Sequence, residues 1–574
     1  MCGYGCFWLG LSGKLQIIFG DLLEMETVVL VDEEVPLGNL LGFKKFFKND
    51  VLSGFLVFLI ALPLCIGISL ASGFPAFSGV ITAIVGAVVA SLLSNSELTI
   101  KGPAAGLIVI VYGAVTEFGY RGNGGPEDYQ AYKMALAVGV VSGLIQIAFG
   151  YFKLGRLSEI FPSSVVHGML ASIGIIIIAK QLPIMFGQTA KGNPLELIAS
   201  LPDKIMHANP EIAIIGICSL LLLVMLPRIQ FFSSLRKIPA PLVVLMLGFF
   251  LAKFFDLTHA HTYSFSAKSY DLNEKFLVTV PQNILSAITT PDFTVLSSLA
   301  AWKWILMFCL IGSLESILSA KAIETLDPWK RKTDFNRDLL AIGIANTLAA
   351  CLGGLPMISE IVRSKANIDN GARTRYANLW HGIFLLAFLT LVPNLIHQIP
   401  LAALAAMLVF TGFRLASPKE FAGVYRVGKE QLFVFCSTII GVLSTDLLVG
   451  LFIGMFVEML VAFRHGTGLK RLFVPKLTVD DSKPQAVTVK VEDAVVFSNW
   501  TPLRREIEQV CISQQIKMKI DFSEVKFIDH SAMSKIFEFK KELAEAEYDV
   551  AFNGMDKLRP FSSHPEAGRR AVRN

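Results

Sequence analysis

Two stretches of this sequence join a proline to glycines and short side chains inside apolar surroundings. Lys101-Gly102-Pro103-Ala104-Ala105-Gly106 opens the run LIVI, and Gly353-Gly354-Leu355-Pro356-Met357-Ile358-Ser359 opens a second short run. Proline suits the first turn of a helix, whose N–H groups lack intrahelical partners. Glycine and alanine let a ligand approach those groups closely. A helix that begins inside a membrane protein presents free N–H donors and the positive end of its dipole, which makes an anion site. Interrupted segments at corresponding places in two halves of a chain point to a transport site. The alternative is two ordinary Gly-Pro loops.

Three charged residues sit where the surroundings are apolar. Arg363 follows Pro356 by seven residues and shares its face if the segment is helical. It then supplies a fixed positive charge; local pairing or snorkelling is the alternative. Glu315 and Ser319 are at i and i+4 in IGSLESILS, which suits a Na+ or H+ site, or else an ion pair with Arg363 or Lys321. Ionisable residues inside membrane segments are expensive and mark ion pathways. Glu360 stands near the start of the second short helix, where it can compete with an anion, pair with Arg363 or carry a proton. His167 and His381 read as hydrogen-bonded packing residues rather than proton relays. No phosphate-binding loop, zinc motif or nucleophile elbow stands out, which disfavours ATP-driven transport and enzymatic activity.

The elements that must position these residues are spans. Of 574 residues, 53% are hydrophobic and only 17% charged, against about 25% charged in soluble domains. Mean hydropathy is +0.58. Apolar blocks lie near 51–70, 77–95, 102–116, 133–150, 160–180, 209–227 and 239–254. After a polar loop from about 256 to 298 they resume near 300–321, 338–353, 356–368, 376–392, 398–413, 430–444 and 446–463. Seven plus seven, an odd number per half, makes an inverted repeat with the two Gly-Pro stretches at its third and tenth spans. With the N-terminus inside, the inner loops hold Lys153, Arg156, Arg228, Arg236, Lys237, Lys330, Arg331, Lys332, Arg337, Arg373 and Arg375, and the group from Arg414 to Lys429. The outer loops hold few basic residues, such as Arg121 and Lys191, as the positive-inside rule requires. The net charge of +5 reflects those loops and needs no nucleic-acid partner. The eight cysteines show no metal or disulfide spacing, and read as reduced or buried thiols. The first 24 residues, before Met25, read as an upstream start without a role.

From about Val487 the pattern changes to strands (487–491, 494–497, 517–522, 550–552) alternating with helices (501–511, 531–546). This suggests a small α/β domain.

Taken in order, these motifs resemble the SulP family of anion transporters. The resemblance rests on Leu62-Pro63-Leu64, the Lys101–Gly106 stretch, Glu315-Ser-Ile-Leu-Ser319, Gly353-Gly-Leu-Pro356, the run from Arg363 to Thr374, and Ile399-Pro-Leu-Ala-Ala-Leu-Ala-Ala406. The tail resembles a STAS domain through Phe497-Ser-Asn499 and the stretch Asp521 to Ser531. The resemblance covers nearly everything from about residue 47. It implies an all-α polytopic domain over 47–465, of the uracil-permease type with core and gate domains, after a cytoplasmic segment 1–46 and before a cytoplasmic STAS domain over 466–574.

It further implies a secondary transporter of bicarbonate or sulfate, coupled to Na+ or H+, in the inner cell membrane, with both termini cytoplasmic and an elevator-like cycle. The anion is expected against Leu64, Ile68, Gly102, Pro103, Ala104, Ala105, Ser359, Glu360, Ile361 and Arg363. The coupling cation is expected at Glu315 and Ser319. Ser531 or Ser523 would be the regulatory site, or an ordinary helix cap. The expected partners are the bilayer, a second copy as homodimer, and a regulatory protein at the STAS domain, with no other cofactor. The chain departs from the family pattern at Leu64 and Ala104, where polar residues are common, and at Glu360, where a small one is. Fewer side-chain donors remain, so selectivity would lean on backbone N–H groups. A nucleobase permease of the same fold, or a STAS-linked sensor with vestigial transport, are the other readings.

Overall fold

The structure is a computed structural model. It describes residues 35–571 except 156, 191, 193, 227–238, 267, 279–287, 392, 484–485, 515–516, 546–547 and 549. The upstream-start reading of the first 24 residues, Arg156, Lys191 and the basic loop with Arg228, Arg236 and Lys237 therefore lie outside the described residues.

The apolar blocks fold as helices, or as strand then helix. In the first half these are α1 (Phe47–Ala71), α2 (Ser78–Leu93), β1 (Ile100–Pro103), α3 (Ile108–Glu117), α4 (Pro126–Tyr151), α5 (Ser163–Met185), α6 (Pro194–Met206), α7 (Pro210–Met225) and α8 (Ala240–Phe254). A hairpin, β2 (His261–Phe265) with β3 (Lys268–Leu272), occupies part of the stretch expected to be a polar loop. The second half holds α9 (Leu299–Leu326), α10 (Phe335–Cys351), β4 (Met357–Glu360), α11 (Ile361–Asp369), α12 (Tyr376–Leu391), α13 (Leu401–Leu415), α14 (Pro418–Val427), α15 (Lys429–Ser444) and α16 (Leu447–Arg464). By length and composition, six helical runs among the described residues can cross a membrane alone, or seven if the bent pair α6–α7 counts as one.

Side chains at the boundaries set where several helices start. Ser298 accepts from the Ala301 N–H at the head of α9, and Asp334 accepts from the Asn336 and Arg337 N–H groups at the head of α10. These are N-cap bonds. Two packing groups result. In one, α4, α9, α10, α2, α12 and α1 surround β1 and β4; in the other, α5 packs with α13, α15 and α16, and α13 with α7.

The expectation of an all-α membrane unit is corrected at its centre. Pro103 does not open a helix. It closes strand β1, which runs antiparallel to β4 with Ile100 opposite Glu360, Lys101 opposite Ser359, Gly102 opposite Ile358 and Pro103 opposite Met357. Strand pairing satisfies backbone groups that an isolated helix start would leave open, and a proline is tolerated at the end of such a strand. Residues 104–107 then form a tight turn, with the Leu107 and Ile108 N–H groups donating to the Ala104 and Ala105 carbonyls. In the second half the helix likewise begins at Ile361, not at Pro356.

The tail contains β5 (Lys476–Lys483), β6 (Ala486–Val495), α17 (Phe497–Gln514), β7 (Lys517–Ile528), α18 (His530–Glu545), β8 (Val550–Asn553), β9 (Leu558–Pro560) and β10 (Arg569–Ala571). The strands expected at 487–491 and 494–497 are one strand, β6, and β7 runs past 522. In the sheet β5-β6-β7-β10-β9, β6 and β7 are parallel, and β8 adds in parallel to β7. Trp500, Leu503 and Ile507 of α17 and Met533, Ile536 and Phe539 of α18 form its core with the strand valines and isoleucines.

Candidate functional site

The β1–β4 pair brings the two Gly-Pro stretches into direct contact. Arg363, in the first turn of α11, is 1% exposed. Its Nη2 donates to the Pro103 carbonyl at 2.6 Å, and its Nη1 donates to Cys65 Sγ at 3.4 Å. Its Nη2 also lies 3.5 Å from Glu360 Oε1. The seven-residue spacing from Pro356 is thus not a helical one; Arg363 reaches the first half-site across the strand pair. Gly102 makes room for it, since a Cβ there would strike Nη1. Gly106 plays the same part for Glu315, whose carboxyl group occupies the space a Cβ would need. The two glycines of the 101–106 stretch thus admit one buried cation and one half-buried acid to the same turn.

Three polar atoms here have no hydrogen-bond partner within the described chain: Glu315 Oε2, Glu360 Oε1 and Arg363 Nε. Buried polar groups are normally satisfied. Three such exceptions lie on the two sides of this one turn. Of the three readings open for Glu360, its position favours pairing with Arg363.

Beneath the strands lies a network the sequence did not disclose. Lys101, 1% exposed, donates to both oxygens of Asp338 at 2.7 and 2.9 Å and to Ser359 Oγ at 2.5 Å. Ser94 Oγ donates to the same Asp338 at 2.5 Å. The Ser359 N–H donates to Ser316 Oγ at 3.0 Å, and the Ile100 N–H donates to Ser364 Oγ at 2.8 Å. Lysine at the head of an apolar run and aspartate in the first turn of α10 were the only signals, and neither says that residues 237 apart are partners.

The other expected site residues divide. Ile68 and Ala104 are buried in one apolar cluster with Leu107, Ile108 and Ile358, and Ala105 packs on it. Leu64 instead packs against a different cluster that includes Ile212, Val244 and Met407. The Ile361 side chain is exposed, so only its backbone faces the half-site. Ser319 is buried on α9 one turn past Glu315, yet the hydroxyl that ties α9 to β4 is that of Ser316. Lys321 pairs with Glu538 of the tail at 2.7 Å rather than with Glu315. His381 is buried with neither ring nitrogen hydrogen-bonded within the described chain, against the expectation of a bonded packing residue. His167 is half-exposed, 3.6 Å from Glu420.

The two tail serines are placed differently. Ser531 is buried and its Oγ accepts from the Ser163 N–H at 3.0 Å, so it caps α5 of the membrane unit. Ser523 is half-buried and donates to Asp521 at 2.6 Å; that bond holds the Asp521 carboxyl below the usual carboxylate range. Beside Ser531, Lys535 donates to the Glu159 carbonyl, and burial pulls its ammonium down to about 8. Arg504 bridges Glu159 at 3.2 Å and Glu508 at 2.8 Å.

Comparison with known proteins places this architecture. The sulfate permease family model matches residues 47–438. YvdB of Bacillus subtilis, named for sulfate transport, is 25% identical over 433 residues, covering 74% of this chain and 75% of its own length. The transmembrane domain of the cyanobacterial bicarbonate transporter BicA superposes with a TM-score of 0.60 at 22% identity, covering 72% of this chain and 98% of that one. SLC26A9 superposes with a TM-score of 0.64 at 15% identity, covering 89% and 85%. With the membrane unit matched almost from end to end, this chain belongs to the sulfate permease family, a family of membrane transporters and not of enzymes.

Proposed function

We propose that the chain is a secondary transporter of a small inorganic anion, bicarbonate or sulfate, which binds between the starts of α3 and α11. The observation that carries this reading is the turn at 103–106, where buried Arg363 and half-buried Glu315 and Glu360 converge, with Glu315 Oε2, Glu360 Oε1 and Arg363 Nε not hydrogen-bonded among the described residues. Two short helices contribute dipole ends and N–H donors, and Arg363 adds a fixed, planar donor group suited to an oxyanion. Glu315 is the coupling group. As a carboxylate it holds Na+ with Ser319 and nearby carbonyl oxygens, or it takes up H+ itself; either neutralises a buried charge as the anion enters. The relatives named for sulfate and bicarbonate transport support the substrate class.

In this reading the fourteen apolar segments are spans of a seven-plus-seven inverted repeat. The antiparallel pairing of β1 with β4 is what a two-fold axis in the membrane plane produces. The packing group around the strands is the moving core and the group built on α5 and α13 is the gate, in an elevator cycle. The tail is a STAS domain on the cytoplasmic side of an inner membrane, with both termini inside, and two copies form the working unit.

Proteoliposomes carrying the full chain, tested with labelled bicarbonate, sulfate and uracil under Na+ and H+ gradients, decide it. Gradient-driven uptake of either anion is expected. Uptake of uracil alone would replace this reading with a nucleobase permease, and no uptake of any of the three would replace it with the sensor.

A further inference from the structure

Seventeen residues along α5 from the serine that touches the tail stands a second buried cation, Lys180. At 1.5 Å per residue it lies about 25 Å from Ser163, on the half of the membrane unit away from the tail. Lys180 is 8% exposed. Its Nζ sits 3.3 Å from the ring centroid of Tyr112, which belongs to α3. Among the described residues no carboxylate is paired with it.

The position follows from the packing of α5 on α3. Ile173, Ile176 and Ile177 of α5 share one apolar cluster with Leu107 of the preceding turn and Ile108 and Val111 of α3. Lys180 follows Ile176 and Ile177 at i+4 and i+3, so it extends the same stripe by one turn. Tyr112 likewise stands one turn past Ile108. The ammonium is therefore at the end of the seam that joins the two packing groups, about 6 Å along α3 from the helix start that faces the central turn.

A lone ammonium here is poorly served. A lysine buried within a membrane helix is costly, and a cation–π contact offsets only part of that cost. The ring face also leaves N–H donors aimed elsewhere than at an acceptor. Among the described residues no acid answers the charge, unlike Lys101, which has Asp338. A group that answers it only part of the time fits both facts.

We propose that Lys180 is a second anion-contacting residue. With Tyr112 it forms a waiting position for a small oxyanion on the tail-distal side of the central site, occupied before the anion passes the Ile176–Ile177 seam. This rests on the transport reading above and adds an entry step to it. An anion there offers the ammonium the charge-assisted hydrogen bonds that the ring cannot.

The test uses the full chain in proteoliposomes, oriented by accessibility of the tail to protease. Initial uptake of labelled sulfate and bicarbonate is measured against concentration on the tail-distal side for wild type, Lys180→Met and Lys180→Arg, with melting temperatures in detergent. Lys180→Met is expected to raise KM at least tenfold, the scale of one lost charge-assisted bond, with kcat within about twofold. Lys180→Arg is expected to restore KM. A KM unchanged in Lys180→Met beside normal wild-type uptake would overturn this inference alone, whether or not the melting temperature moves. A Lys180→Met protein that does not fold leaves the decision to Tyr112→Leu: a KM raised as for the lost contact supports the waiting position, and an unchanged KM overturns it. Wild type that takes up neither anion would overturn both this inference and the transport reading.

Discussion

One methyl group at residue 102 or 106 is enough to test how the central turn works. The Gly106→Ala side chain would occupy the space of the Glu315 carboxyl group, so Glu315 must turn away from the turn. Uptake is expected to fall at least tenfold, with the protein still folded by its melting curve; unchanged uptake would separate Glu315 from the site. Glu315→Gln keeps the shape and removes the charge. It is expected to leave anion uptake measurable but independent of the Na+ or H+ gradient, read by collapsing each gradient with an ionophore. Arg363 makes two hydrogen bonds from a fully buried guanidinium. Its position against β1 and its proposed role as an anion contact are separable, because Arg363→Lys keeps the charge but loses the fork that spans Pro103 and Cys65.

Among the elements, the strand pair is the part that hydropathy could not find. The apolar blocks were legible because burial in lipid or protein imposes long runs whatever the partners are. Four-residue strands carry no such signal, and Lys101-Gly102-Pro103 reads locally as a helix entrance. Its true partner, Met357–Glu360, is set by tertiary pairing. For the same reason Arg363 was identified from its charge while its route to the site was not, and Asp338 was passed over. The Lys101–Asp338 pair holds this arrangement from below. Lys101→Met leaves a buried, unpaired aspartate and is expected to destabilise the protein by about 3–5 kcal/mol. Lys101→Met with Asp338→Leu is expected to recover most of the melting temperature but not the uptake, since Ser359 loses the ammonium that orients it. Equal recovery of both would make the pair merely structural.

Across the whole molecule, the tail is fastened to the membrane unit by buried contacts rather than tethered to it. Asp529 links β7 to α18, which opens with His530 and Ser531, and all three are buried. Ser531 caps α5, so its modification requires the tail to lift away; the sequence marked the residue, but the neighbour that buries it comes from 368 positions away. Burial holds the His530 ring below the ordinary imidazole range. Below about pH 6.5 the unfolded chain takes up a proton that the folded ring resists, so this contribution to stability is present above that pH and is lost as pH falls. A drop in tail melting temperature between about pH 7.5 and 5.5 is expected, and His530→Gln is expected to shrink it. Loss of the same amount in both proteins would place the acid sensitivity elsewhere.

In the proposed function one anion sits at the turn shared by β1, α3, β4 and α11. Equilibrium binding of labelled sulfate and bicarbonate to the purified full chain, comparing wild type with Arg363→Ala and Gly102→Ala, decides it. Saturable wild-type binding of one anion, weakened at least tenfold in both variants while each still melts cooperatively, is the expected result. Wild-type affinity retained in folded Arg363→Ala and Gly102→Ala would place the anion elsewhere.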